Sequence, residues 1–304
     1  MANFKLYIAL FLMVSFNNIL LGSYATIPFQ VEGKLIIIEA IVDGQKGNFI
    51  LDTGISELLL NNRYYVGHQS SKHYYGLNGQ GGTMELGRPT VQIGEQSWGR
   101  VYAQIVPMVA IERSKGIRIH GLLGTEVFKK HTLMIDYRKR ELRLYPLDRN
   151  GENSSFAQGP LPDEVLTFKY KGGTPLINLR VGDKKLKLAV DTGAEVNLFA
   201  NKYLEQLASF IKRRRQQRFH GFGNKGQKTT FASLSGVQTT LGEVAEMNTA
   251  FANLDHYNRH VVGPKTDGII GYEFLQQFRV AFNFKKREVY LWEKEDRLFV
   301  STDK

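Results

Sequence analysis

Apolar positions in this chain come in short runs that end at turn signals. Ile36-Ile37-Ile38-Glu39-Ala40-Ile41-Val42 is mostly β-branched, and Asp43-Gly44 follows at once. Such a run closed by Asp-Gly predicts a strand entering a tight hairpin, and a second apolar strand returns to Asp52. The same pattern recurs where Leu176 to Val181 meets Gly182-Asp183 and Leu186 to Val190 returns. Two more hairpins are predicted, Leu133 to Ile135 with Leu142 to Tyr145, and Val280 to Phe282 with Val289 to Trp292, each with a basic tip. Helices look short: one after Gly124 through Phe128, one after Gly271 through Phe278, and one over 201–214. Strands with a few short helices, instead of alternating βα units, predict a mostly β fold.

The pattern is written twice. Phe49-Ile50-Leu51-Asp52-Thr53-Gly54 falls on Leu188-Ala189-Val190-Asp191-Thr192-Gly193, with Asp191 lying 139 residues after Asp52. Gly121-Leu122-Leu123-Gly124 matches Gly268-Ile269-Ile270-Gly271, and 135–142 matches 282–289, both at a spacing of 147. Ordered matches of this kind predict a duplicated unit. From Leu147 to Glu164 the chain is rich in Asn, Gly, Ser, Pro and acidic residues and reads as a linker. The expected division is a leader over 1–25, an N-terminal lobe over 26–147, a linker over 148–162 and a C-terminal lobe over 163–304.

The leader reads as an address. Lys5 precedes an apolar stretch from Leu6 to Phe16, a second patch spans Ile19 to Leu21, and Gly22-Ser23-Tyr24-Ala25 supplies small residues for cleavage after Ala25. Ser15, Asn17 and Asn18 interrupt the run, which falls short of the about 20 apolar residues of a bilayer span. An uncleaved signal anchor is the competing reading. The expectation is an exported protein, periplasmic or secreted, monomeric and without a stable membrane span. With few residues between Ala25 and the first strand, no pro-segment is expected.

Composition narrows the chemistry. The 304 residues include no cysteine, which excludes a disulfide scaffold, a cysteine-ligated metal and a thiol nucleophile. The net charge of +11 leaves anionic partners open without choosing a reaction.

The candidate chemistry lies in the carboxylates. An aspartate at the end of a buried apolar strand is costly, and a following Thr-Gly turn can donate backbone hydrogen bonds to it. Glycine allows the tight turn and the close amide. Asp-Thr-Gly followed some seventy residues later by apolar-apolar-Gly resembles the aspartic proteases, and two fused copies resemble their pepsin-like, bilobal form built from retropepsin-like units. The resemblance covers essentially the whole chain after the leader. It implies two related β-barrel lobes, with Asp52 and Asp191 as the catalytic dyad. It also implies that Thr53 and Thr192 hydrogen-bond across the lobe interface and that Gly54 and Gly193 shape the loops. Two adjacent carboxylates share one proton; one activates a water and the other polarises the scissile carbonyl. That chemistry needs no cofactor and no metal, and its partner is a peptide or protein substrate. Flaps are expected at two glycine-rich loops, with Tyr75, Gly76 and Gly79 in the first copy and Gly221 and Gly223 in the second. Copy one reads Asp-Thr-Gly-Ile-Ser and copy two Asp-Thr-Gly-Ala-Glu, and Ile55 is bulkier than the Ala or Ser usual there, enough to narrow or distort the site. The alternative is an inactive or very slow protease-like protein that captures extended peptides by strand pairing. Retention of both aspartates favours the enzyme.

Other motifs read as decoys. Gly221-Phe222-Gly223-Asn224-Lys225-Gly226 with Glu243 fits a dinucleotide fingerprint but lacks a preceding apolar strand and a following helix. The basic cluster from Lys212 to Arg218 reads as a solvated helix end, with no nucleic acid expected. His120 and His220 lack spaced metal partners.

Overall fold

The computed structural model describes residues 24–75, 81–171, 173–219, 227–260 and 266–293. Leu35–Val42 pairs antiparallel with Gln45–Leu51, with Ile38 opposite Phe49 and Val42 opposite Gln45. Asp43 (φ 48°) and Gly44 (φ 79°) make the connection in the left-handed region that such a two-residue turn requires. The second copy forms the same hairpin from Thr174–Val181 and Lys184–Val190. Gly121–Leu123 runs parallel to Gln45–Leu51 and antiparallel to Leu58–Asn61. Gly268–Ile270 is inserted in the same way between Lys184–Val190 and Asn197–Ala200.

Each copy builds a 10-stranded sheet, and the two sheets have the same strand order. A six-stranded sheet joins them. The hairpin His131–Asp136 with Glu141–Pro146 meets the hairpin Phe278–Asn283 with Glu288–Glu293 through an antiparallel pair that sets Leu133 opposite Phe282. Ala25–Pro28 and Glu164–Thr167 flank it. The molecule is therefore a mostly β, bilobal fold with short helices. Among the described residues no helix is long and apolar enough to cross a membrane. Of the expected leader over 1–25, residues 1–23 lie outside the described residues, and Ala25 is the first residue of the strand Ala25–Pro28.

Strand alternation separates two kinds of core. Phe49 and Leu51 point into one large cluster shared by both lobes, together with Phe128, Phe199, Phe274 and Phe282. Ile50 points the other way, into a small cluster with Ile37, Met108 and Leu122 that Ile55 and Ile111 flank. In the second lobe Leu188 and Val190 face the large core, while Ala189 faces a small cluster with Leu176, Leu254 and Tyr257. Asp52 and Asp191 follow two residues after Ile50 and Ala189, on the side of the small clusters.

Several local expectations need correction. The segment 201–214 is not one helix: Tyr203–Gln206 is helical, Ala208–Phe210 is a 3₁₀ turn, and Ile211–Phe219 is a strand. Pairing with Gln227–Leu234 overrides the helical propensity of the Lys and Arg residues, with a bulge between Lys212 and Arg215. The basic cluster thus lies on the edge strand of its sheet, not at a helix end. The helix after Gly271 is Tyr272–Leu275, because Phe278 already pairs with Glu293. Helices Val109–Lys115 and Asp255–His260 are additional. The linker also holds a helix, Ser154–Ala157, capped by Asn153 Oδ1 accepting from Phe156 N at 2.9 Å. Phe156 packs on Tyr145, Tyr290 and Trp292 with ring centroids 5.2, 5.3 and 6.0 Å away, so the segment adds an aromatic anchor.

Candidate active site

Each aspartate is set by the strand inserted beside it. Asp52 N donates to Leu123 O at 3.1 Å, and Asp191 N donates to Ile270 O at 3.0 Å. The chain then turns, so that Gly54 N donates to Asp52 Oδ1 and Gly193 N to Asp191 Oδ1, both at 2.8 Å. The apolar-apolar-Gly segments fit closely beneath: a Cβ on Gly124 would lie 2.2 Å from Glu57 O, and one on Gly271 2.1 Å from Ala194 O.

The threonines lock the two turns together. Thr53 Oγ1 donates to Val190 O at 2.9 Å and accepts from Thr192 N at 3.0 Å. Thr192 Oγ1 donates to Leu51 O at 2.8 Å and accepts from Thr53 N at 3.0 Å. Both side chains are buried. Each hydroxyl therefore satisfies one donor and one acceptor of the opposite lobe.

This lock brings the carboxyls face to face. A Cβ on Gly54 would lie 2.4 Å from Asp191 Cγ, and a Cβ on Gly193 would lie 2.7 Å from Asp52 Cγ. Burial and then the charge and neighbouring carboxyl of Asp191 hold the Asp52 carboxyl well above the usual carboxylate range, against the amides of Gly54 and Ile55. Burial also raises Asp191, against Asp52 and the amides of Gly193, Gly54 and Ala194, which favour its anion. Both carboxyls are therefore raised, and the pair titrates as a unit.

The surroundings are less symmetric. Thr174 Oγ1 donates to Gly54 O at 2.6 Å, whereas the matching position of the first lobe is Leu35, which has no hydroxyl. Thr125 bonds the Tyr170 hydroxyl and donates to Gly173 O at 3.1 Å, tying the first lobe to the second. Lys34 pairs with Glu273, and Lys115 with Glu195 at 2.5 Å, both between lobes. Sequence reading missed Thr174 and Thr125, because neither threonine recurs at the matching position of the other copy, Leu35 and Tyr272.

Of the site residues read from the sequence, Asp52, Thr53, Gly54, Asp191, Thr192 and Gly193 converge here. The flap positions do not reach this description. Hairpins His68–Tyr75 with Gly81–Gly87 and Ile211–Phe219 with Gln227–Leu234 are present. Gly76, Gly79, Gly221 and Gly223 lie outside the described residues, as does the side chain of Tyr75, whose backbone pairs with Gly81. Strands stand on both sides of 221–226, where a dinucleotide site requires a helix to follow. His120 is a packing residue: its ring stacks on Tyr64 at 4.2 Å and its Nδ1 accepts from Asn48 N at 3.2 Å. His220 lies outside the described residues. Among the described residues no group of three or more His, Cys, Asp or Glu is placed to hold a metal ion.

No protein-family model matches the chain, and no curated protein matches it.

Proposed function

We propose that this chain is an exported aspartic endopeptidase, with two fused lobes similar to the pepsin-like arrangement of retropepsin-like units. The observation that carries the reading is the pair of buried carboxyls, one per lobe, each lying against the other lobe's glycine. Crowded in a buried site, the pair keeps one proton.

The chemistry follows from that proton. The ionised member of the pair takes a proton from the attacking water, whose oxygen bonds the scissile carbonyl carbon. The protonated member gives its proton to the carbonyl oxygen, which yields a tetrahedral diol. As the diol collapses, the carboxylate that gave this proton takes one back from a diol hydroxyl, the C–N bond breaks, and the leaving amine takes the proton that came from water. Because each amide-braced turn is fixed by the opposite lobe's threonine, both carboxyls are oriented before substrate arrives.

The test is incubation of the purified full chain with a mixed peptide library at several pH values, beside Asp52→Asn and Asp191→Asn. Cleavage by the wild type and none by either variant supports the reading. Failure of the wild type to cut, or equal cutting by the variants, overturns it. Unaltered peptide recovered in a stable complex identifies a binding protein instead.

A further inference from the structure

The small cluster beside Asp191 contains a hydroxyl that the steps above do not use. Tyr257, in the helix Asp255–His260, is 4% exposed, and among the described residues no atom hydrogen-bonds its hydroxyl. Leaving such a group unpaired is costly, and phenylalanine in the same place would avoid the cost. Its ring lies with Leu176, Ala189, Leu198, Leu254 and Ile269, and Ala194 packs at the edge. Ala189 precedes Asp191 by two residues, and Ala194 follows Gly193, so this cluster borders the dyad.

The first lobe shows what is unusual here. The parallel pairs Val106 with Asn61 and Ala252 with Ala200 put the two lobes in one register. In that register Ile111 stands for Tyr257, Ile50 for Ala189 and Ile55 for Ala194. The first lobe has branched apolar groups at these places. The second has alanine at two of them and a phenol at the third. Burial and then the charges of Asp191 and Asp52 hold that phenol far above its ordinary pKa, so it remains a donor.

We propose that Tyr257 determines specificity: its hydroxyl donates a hydrogen bond to the side chain of the substrate residue seated against the C-terminal lobe. The preferred side chain there is uncharged and bears an acceptor, as in Asn, Gln, Ser or Thr. An acidic side chain would bring a further negative charge to the dyad, and an apolar one would leave the hydroxyl unpaired. The residue on the other side of the scissile bond meets the isoleucine-lined wall and is small and apolar. This inference rests on the peptidase reading.

The experiment uses peptide pairs that differ only beside the cut, Asn against Leu and Thr against Val, with wild type and Tyr257→Phe. Wild type should favour the acceptor-bearing member by about tenfold or more in kcat/KM at one flanking position, and Tyr257→Phe should erase most of that ratio. A folding defect alone lowers both members together and leaves the ratio in place. Ala194→Ile, which restores the bulk of the first lobe, should also abolish the preference and supplies a second variant. A wild type without preference, or a Tyr257→Phe enzyme that keeps it, overturns the inference while the peptidase stands. A wild type that cuts no peptide overturns both.

Discussion

The two lobes share a strand order and an Asp-Thr-Gly turn, yet they treat the space around the turn differently. In the N-terminal lobe Ile50, Ile55 and Ile111 fill the face beside Asp52. In the C-terminal lobe Ala189, Ala194 and Tyr257 occupy those places. The same helix is also tied down by different chemistry. Glu112 accepts from Ile119 N at 3.0 Å and from the Tyr64 hydroxyl at 2.7 Å, whereas Asn258 accepts from Thr266 N at 2.8 Å and donates to Thr266 O at 3.1 Å. Symmetry is kept where the two carboxyls meet and relaxed in the packing beside each of them. A duplicated chain can do this; a symmetric dimer of one short chain cannot.

The largest expected effect tests the symmetric part. Asp52→Asn and Asp191→Asn should each reduce kcat by about a thousandfold or more, since the one-proton pair then loses its donor or its base. Stability should move the opposite way. Asp52 has a raised folded pKa, so its contribution is present at low pH and is lost as pH rises through that value. The melting temperature of Asp52→Asn relative to wild type should therefore climb with pH, as calorimetry would register. With both carboxyls raised, the bell-shaped rate profile should lie above that of two ordinary carboxyls and fall on the alkaline side. A rate that climbs steadily into strong alkali contradicts the shared proton.

Gly54→Ala and Gly193→Ala come next. A methyl group 2.4 or 2.7 Å from the opposing carboxyl carbon must displace it, and a shift of about 1 Å can cost about a hundredfold in rate. Gly54→Ala, with the closer contact, should be the more damaging in kcat assays. Thr53→Val and Thr192→Val each strip a hydroxyl from a buried donor and acceptor across the interface. Urea unfolding should show a loss of about 2–4 kcal/mol for either, and nearly the same for both. Thr174→Val, which has no counterpart in the first lobe, should cost about 1–2 kcal/mol through the orphaned Gly54 carbonyl.

The smallest effect separates the helices. Burial alone would raise the Glu112 carboxyl, but bonds from Tyr64, Ile119 N and Asn61 and the charge of Arg63 bring it below its ordinary value. A lowered folded pKa gives stability that is present above the unfolded value and lost as pH falls through the folded one. Glu112→Gln should flatten the acid limb of the melting curve slightly. Asn258→Asp should introduce such a limb into the lobe that lacks it.

Much of this was legible in residue order. Asp-Gly turns at Asp43-Gly44 and the basic hairpin tips came directly from local chemistry, because two-residue turns depend on the residues that form them. The match of 49–54 to 188–193 identified the six residues that meet at the lobe interface. Lys212 to Arg218 was misjudged because an exposed basic run has no pattern of its own; its strand exists because Gln227–Leu234 pairs with it. Helices Val109–Lys115 and Asp255–His260 were missed because both are short and gain their order from packing on the small clusters.

Sequence alone determined the duplication, the β character and which two aspartates stand at equivalent places, since hydrophobic alternation and turn residues are local properties of the chain. Only the tertiary structure decided that each carboxyl lies on the other lobe's glycine, that burial raises both, and that Tyr257 keeps an unpaired hydroxyl beside them. Those facts depend on burial and on distances between residues more than a hundred positions apart. Such distances are set by how two sheets close on each other.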